Sequence, residues 1–107
     1  MRIEKRKHKK LLLNYALLTR QLAKLSDCIF HIIRVEEKEK KDHQNKDGLV
    51  TGYTIYAQSE LSDALAQIEQ MCICLELDFN KTLSMGRIRY IEKAKSFKEK
   101  NPGEEWI

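Results

Sequence analysis

Leu11, Tyr15, Leu18, Leu22, Leu25, Ile29 and Ile32 recur at alternating spacings of four and three residues. That heptad-type rhythm predicts a long amphipathic helix over residues 6–42. Leu12, Ala16, Leu17, Phe30 and Ile33 widen its apolar side. The polar end "RVEEKEKKDHQNKDG" carries Glu36/Lys40 and Glu37/Lys41 at helical i,i+4 spacing, and Asp47-Gly48 is the first stop signal. Residues 47–56, "DGLVTGYTIY", are rich in Val, Thr, Tyr and Ile and predict a turn with a short β-type link. A second rhythm, Leu61, Leu65, Ile68, Cys72, Leu75 and Phe79, predicts a helix over residues 59–78. A weaker stripe of Leu83, Ile88, Ile91, Ala94 and Phe97 predicts a basic helix over residues 81–100, ended by Asn101-Pro102-Gly103.

These elements define one helical domain over residues 1–107. Its fold class is all-α: a long antiparallel helical hairpin with a short β-type link and a third basic C-terminal helix. Two long apolar seams in 107 residues expose more apolar surface than one thin hairpin hides. The expectation is therefore an oligomer, with Leu11, Tyr15, Leu18, Leu22, Leu25, Ile29, Leu61, Leu65 and Ile68 at the interface.

Charge adds a second pattern. Residues 1–48 hold thirteen Lys/Arg and seven Asp/Glu, for a net +6. Residues 49–80 hold five acids and no Lys/Arg, and residues 81–107 hold seven Lys/Arg and four acids. Basic ends around an acidic middle point to self-association or to a polyanion held by the ends. The DNA-contact candidates are Arg2, Lys5, Arg6, Lys7, Lys9 and Lys10 at the start, and Arg87, Arg89 and Lys93 on the third helix. The plainer alternative for the first group is a solvated helix start. The charges of the third helix spread around its axis, which favours phosphate contact over base reading.

Catalytic chemistry finds little support. No carboxylate pair, Ser/His/Asp set or Gly-rich phosphate loop is visible, and His8, His31 and His43 are scattered. Cys72 and Cys74 stand two residues apart and point about 200° apart on a helix, which opposes joint metal binding with Cys28 and His31. The expectation is no enzyme, no metal and no cofactor. No signal peptide is legible, and no run of about 20 apolar residues spans a membrane. Three cysteines without a secretory signal read as reduced thiols.

The order of parts, with "DGLVTGY" at 47–53 and the helix end Leu75-Glu76-Leu77-Asp78, resembles one family of small terminase subunits of tailed bacteriophages. Leu75, Leu77 and Asp78 match the leucines and the capping residue of that family's Leu-Gly-Leu-polar-Pro motif. Glu76 stands where the family has glycine, Phe79 where it has proline, and no arginine follows until Arg87. The resemblance covers residues 10–90. It implies a non-enzymatic, ring-forming DNA-packaging component in the cytoplasm of a bacterial host, which binds DNA and regulates a large ATPase/nuclease subunit. The competing expectations are a dimeric helical nucleic-acid-binding regulator and an adapter that binds only protein.

Overall fold

A computed structural model describes residues 5–37 and 43–104, without the side chains of residues 5, 6, 43–47 and 49. It contains α1 (Lys5–Glu37), α2 (His43–Cys74) and α3 (Phe79–Lys100), and no strand among the described residues. The chain divides into two units, residues 1–75 and 76–107. The first is the hairpin of α1 packed along α2. The second carries α3.

Burial fixes which side of each helix faces the other. On α1 the half-buried and buried positions include Leu11, Asn14, Leu18, Gln21, Leu25, Cys28, Ile32 and Val35. On α2 they include Val50, Tyr53, Ala57, Glu60, Ala64, Gln67, Met71 and Cys74. Both sets alternate three and four, as two antiparallel helices packed along a common seam require. In heptad letters, Leu11, Leu18, Leu25 and Ile32 occupy a, as do Val50, Ala57, Ala64 and Met71. The second member of each pair occupies d. Ala57 and Ala64 are small and buried, which permits a close approach of the helices there. His31 stacks on Tyr53 with ring centroids 5.2 Å apart and planes 8° from parallel, which sets the register.

The seam is less apolar than a core of this length normally is. Gln21, Glu60 and Gln67 all stand at d, and Oε1 of both glutamines and Oε2 of Glu60 are buried with no hydrogen-bond partner among the described residues. An unpartnered buried acceptor destabilises by about 1–3 kcal/mol. Polar residues at seam positions specify register at the expense of stability. Asn14 is accommodated differently: its Nδ2 donates to the Lys10 carbonyl at 2.8 Å.

Residues 47–56 differ from expectation. They are helical and belong to the first half of α2, so the β-type link and the Asp47-Gly48 stop are absent. Val50, Tyr53 and Ala57 continue the seam spacing, and packing against α1 overrides the β preference of the Val/Thr/Tyr/Ile composition. Thr54 also turns its hydroxyl back onto the Val50 carbonyl, at 2.7 Å. The second helix therefore starts at His43, not residue 59, and ends at Cys74. The first helix is described to Glu37, and its expected extension through residues 38–42 lies outside the described residues.

Between α2 and α3 the chain makes two distinct caps. Glu76 adopts φ 58°, a left-handed conformation at the C-terminal end of α2. Glycine takes it freely, whereas an L side chain is disfavoured by about 1–2 kcal/mol. Asp78 is the N-cap of α3: its side chain accepts from the Lys81 amide at 2.9 Å, and its carbonyl accepts from the Thr82 amide and hydroxyl. Glu76→Gly should stabilise the chain by about 1 kcal/mol. Thermal unfolding followed by circular dichroism checks this, and an unchanged or lowered midpoint contradicts it.

Candidate interaction surfaces

The expected interface residues separate into two groups. Leu11, Leu18 and Leu25 lie in the α1–α2 seam, and Ile68 is half-buried beside it. Tyr15, Leu22, Ile29, Leu61 and Leu65 are exposed, Tyr15 at 58% and Leu65 at 51%. Tyr15, Leu22, Ile29, Leu61 and Ile68 occupy heptad position e. Leu12, Ile33, Leu65 and Cys72 occupy b. Positions e and b are neighbours around a helix, so each helix carries a second apolar stripe next to its packed one.

The two second stripes lie on one side of the hairpin. Antiparallel helices are related by a two-fold axis normal to their common plane, so like-lettered flanks share a side. The opposite flank demonstrates this independently. A cleft of about 550 Å³ is lined by Lys24, Asp27, Cys28, His31, Gly48, Gly52, Tyr53 and Tyr56, which brings g, c and d positions of both helices together, with Gly48 at f of α2. The register set by His31 and Tyr53 then places Leu22 level with Leu61 and Tyr15 level with Ile68.

Two threonines of the b/e side turn their hydroxyls back onto the helix, while Ser26, Thr51 and Gln58 on the same side are exposed. Thr19 donates its hydroxyl to the Tyr15 carbonyl at 2.7 Å, and Thr54 to Val50. Both threonines thereby leave their methyl groups for an outside contact. Toward the Cys74 end the stripe on α2 is already covered, since Cys72 is buried and Leu75 half-buried. Cys28, Cys72 and Cys74 are free, buried thiols. Among the described residues no three His, Cys, Asp or Glu side chains gather as a metal-ligand set.

The cleft side has a different character. Gly48 and Gly52 sit one turn apart inside α2, and a Cβ on either would meet nothing within 4 Å. Packing within the hairpin therefore does not demand glycine there, although each weakens the helix by about 0.8–1 kcal/mol relative to Ala. The aromatic rings of Tyr53 and Tyr56 and the charges of Lys24 and Asp27 line the space they leave.

The basic candidates are distributed as follows. Lys9 and Lys10 are exposed in the first turns of α1, and Lys7 is half-buried. Lys5 and Arg6 lie in α1 without described side chains, and Arg2 lies outside the described residues. Arg87, Arg89 and Lys93 are exposed on α3, which carries seven Lys/Arg against two Glu. Leu83, Met85, Ile88 and Ile91 are exposed on the same helix, and Ala94 is its buried residue. Among the described residues no helix is long and apolar enough to cross a membrane.

Comparison with protein-family models, with curated proteins and with solved structures finds no match to this chain. The two stripes make opposite demands on substitution. Leu25→Asp places a charge in the seam and should unfold the hairpin, with loss of most helical circular dichroism. Leu22→Asp should leave the helices intact and abolish self-association, seen as a fall in molar mass by light scattering. Equal behaviour of the two variants would mean that the phase of the seam is misassigned.

Proposed function

We propose that this chain is a non-enzymatic, self-associating helical module that binds nucleic acid through its basic segments. The observation that carries the reading is the apolar b/e side of the hairpin. Burying a leucine side chain fully is worth about 1.5–3 kcal/mol, so a row of half-exposed Leu, Ile and Tyr residues favours a covering partner. The exposed cations of α3, together with Lys9 and Lys10, supply phosphate contacts that need no base recognition. An exposed apolar side of the hairpin fits an isologous pair, because the same surface serves both copies. That favours the dimeric regulator among the readings of this class.

The small terminase subunit is the second reading, and a separate observation favours it. Glu76 takes a left-handed conformation where the resembling family places glycine, and Asp78 caps α3 at the position of that family's capping residue. The φ of Glu76 and the cap at Asp78 are the two local features that support this reading. The "DGLVTGY" part of the resemblance lends no support, because it is helix interior here. A closed ring needs two complementary surfaces, for which the b/e side and the exposed stripe of α3 are the candidates. In that reading the partners are DNA and a large ATPase/nuclease subunit.

Binding to a random-sequence DNA duplex, titrated at several salt concentrations, tests the shared claim. The log–log slope should be negative, at about −0.9 per phosphate neutralised. Deleting residues 1–10 should flatten the slope and weaken all sequences alike. Neutralising Arg87, Arg89 and Lys93 together should do the same from the other end. Absence of binding at low salt would leave a protein-only adapter as the better account.

A further inference from the structure

The cleft on the g/c side is lined unlike the rest of the hairpin. Elsewhere Leu, Ile and Val supply most of the apolar surface. None of these types lines the cleft among the described residues. Its apolar lining is the rings of His31, Tyr53 and Tyr56 and the buried thiol of Cys28. The His31 ring stacks 8° from parallel on half-buried Tyr53, which holds Tyr53 as a flat wall. Gly52 adds bare backbone: a Cβ there would meet nothing within 4 Å, so glycine leaves the space open at the expense of helix stability. A volume of about 550 Å³ falls in the range of small-molecule sites, which often lie between packed helices.

Two opposite charges stand at this cleft. Lys24 and Asp27 are three residues apart on α1, so their side chains leave neighbouring points of one helix face. The cation precedes the anion, which is the weaker order for a pair within a helix. Neither has an ion-pair partner among the described residues. We propose that the cleft binds a free aromatic α-amino acid as its zwitterion. The α-carboxylate meets the Lys24 ammonium, and the α-ammonium meets the Asp27 carboxylate. The ring lies against Tyr53 and Tyr56, over the bare backbone of Gly52.

Charge selects the zwitterion. A purely anionic ligand such as a nucleotide would bring like charge against Asp27, and a purely cationic one would bring it against Lys24. The rings select an aromatic side chain, because offset or edge-on ring pairs contribute beyond the area they bury. A residue inside a peptide carries neither backbone charge, so the free amino acid is the ligand of this class. The site shares no residue with the b/e side or with the cations of α3, and it stands apart from the self-association and nucleic-acid readings.

Calorimetric titration of the full chain with L-tryptophan and L-phenylalanine tests the site, with heteronuclear NMR to locate the ligand. Saturable binding is expected, with shifts at the Gly48, Gly52 and Tyr53 amides. Tryptamine lacks the carboxylate and indolepropionate lacks the ammonium. Each should bind more weakly than tryptophan by about tenfold or more, the loss of one charge-assisted hydrogen bond. Lys24→Gln should erase the discrimination against tryptamine, and Asp27→Asn that against indolepropionate. Gly52→Leu should fill the cleft and abolish binding while raising the thermal midpoint, because leucine is the better helix former. Absence of saturable binding at millimolar ligand overturns the proposal. Uncharged indole or L-leucine binding as well as tryptophan overturns it too, as does a helical Gly52→Leu chain that binds like the parent.

Discussion

Each long helix of the hairpin carries two apolar stripes, and one antiparallel partner satisfies only one of them. This constraint follows from helical geometry: contact between two parallel rods covers a narrow seam, whereas α1 and α2 are apolar over a broader arc. The outer stripe carries Thr19, Ser26, Thr51, Thr54 and Gln58 among its apolar residues, and the internal seam is not wholly apolar either. The seam includes Asn14, Gln21, Glu60 and Gln67, while Tyr15, Leu22, Ile29, Leu61 and Leu65 remain outside. The hairpin thus buries amides and a carboxylate and exposes leucines. The exposed leucines are accounted for if the outer stripe is covered in an assembly.

The two sides of the hairpin have separate roles in this account. The b/e side exposes Tyr15, Leu22, Ile29, Leu61 and Leu65, with Thr19, Ser26, Thr51, Thr54 and Gln58 among them. The g/c side holds the cleft, the stacked His31 and Tyr53, and two glycines inside a helix. The stack flanks a seam in which three buried acceptors have no partner among the described residues. Beyond Leu75 the chain is organised by capping. A left-handed Glu76 ends α2, and Asp78 starts a helix that is cationic and apolar by turns.

Much of this architecture was legible in the sequence. The apolar rhythm of residues 11–32 and 61–75 identified two long helices and their hairpin pairing, and Asn101-Pro102-Gly103 identified the end of the third. The phase of the seam was not legible. Spacing rules count Leu22 and Leu61 as core because they are leucines, and pass over Gln21 and Glu60 because they are polar. Which stripe faces inward depends on the partner helix, where Ala57 and Ala64 permit close approach. The alternating set Val50, Tyr53, Ala57, Glu60, Ala64 was a signal for the longer α2, hidden by its glutamate and by the β-type composition around it. Among basic residues the sequence located the cations and said nothing of how they are displayed.

Hydroxyl-radical footprinting of the unmodified chain, read residue by residue at high and low concentration, tests the central claim most directly. The account predicts that Tyr15, Leu22, Leu61 and Leu65 are protected at high concentration and become reactive on dilution. Leu18 and Leu25, in the internal seam, should stay protected throughout, and Leu13, exposed on the other flank, should stay reactive. Equal reactivity of Tyr15, Leu22, Leu61 and Leu65 at both concentrations would contradict the claim that another chain covers that side.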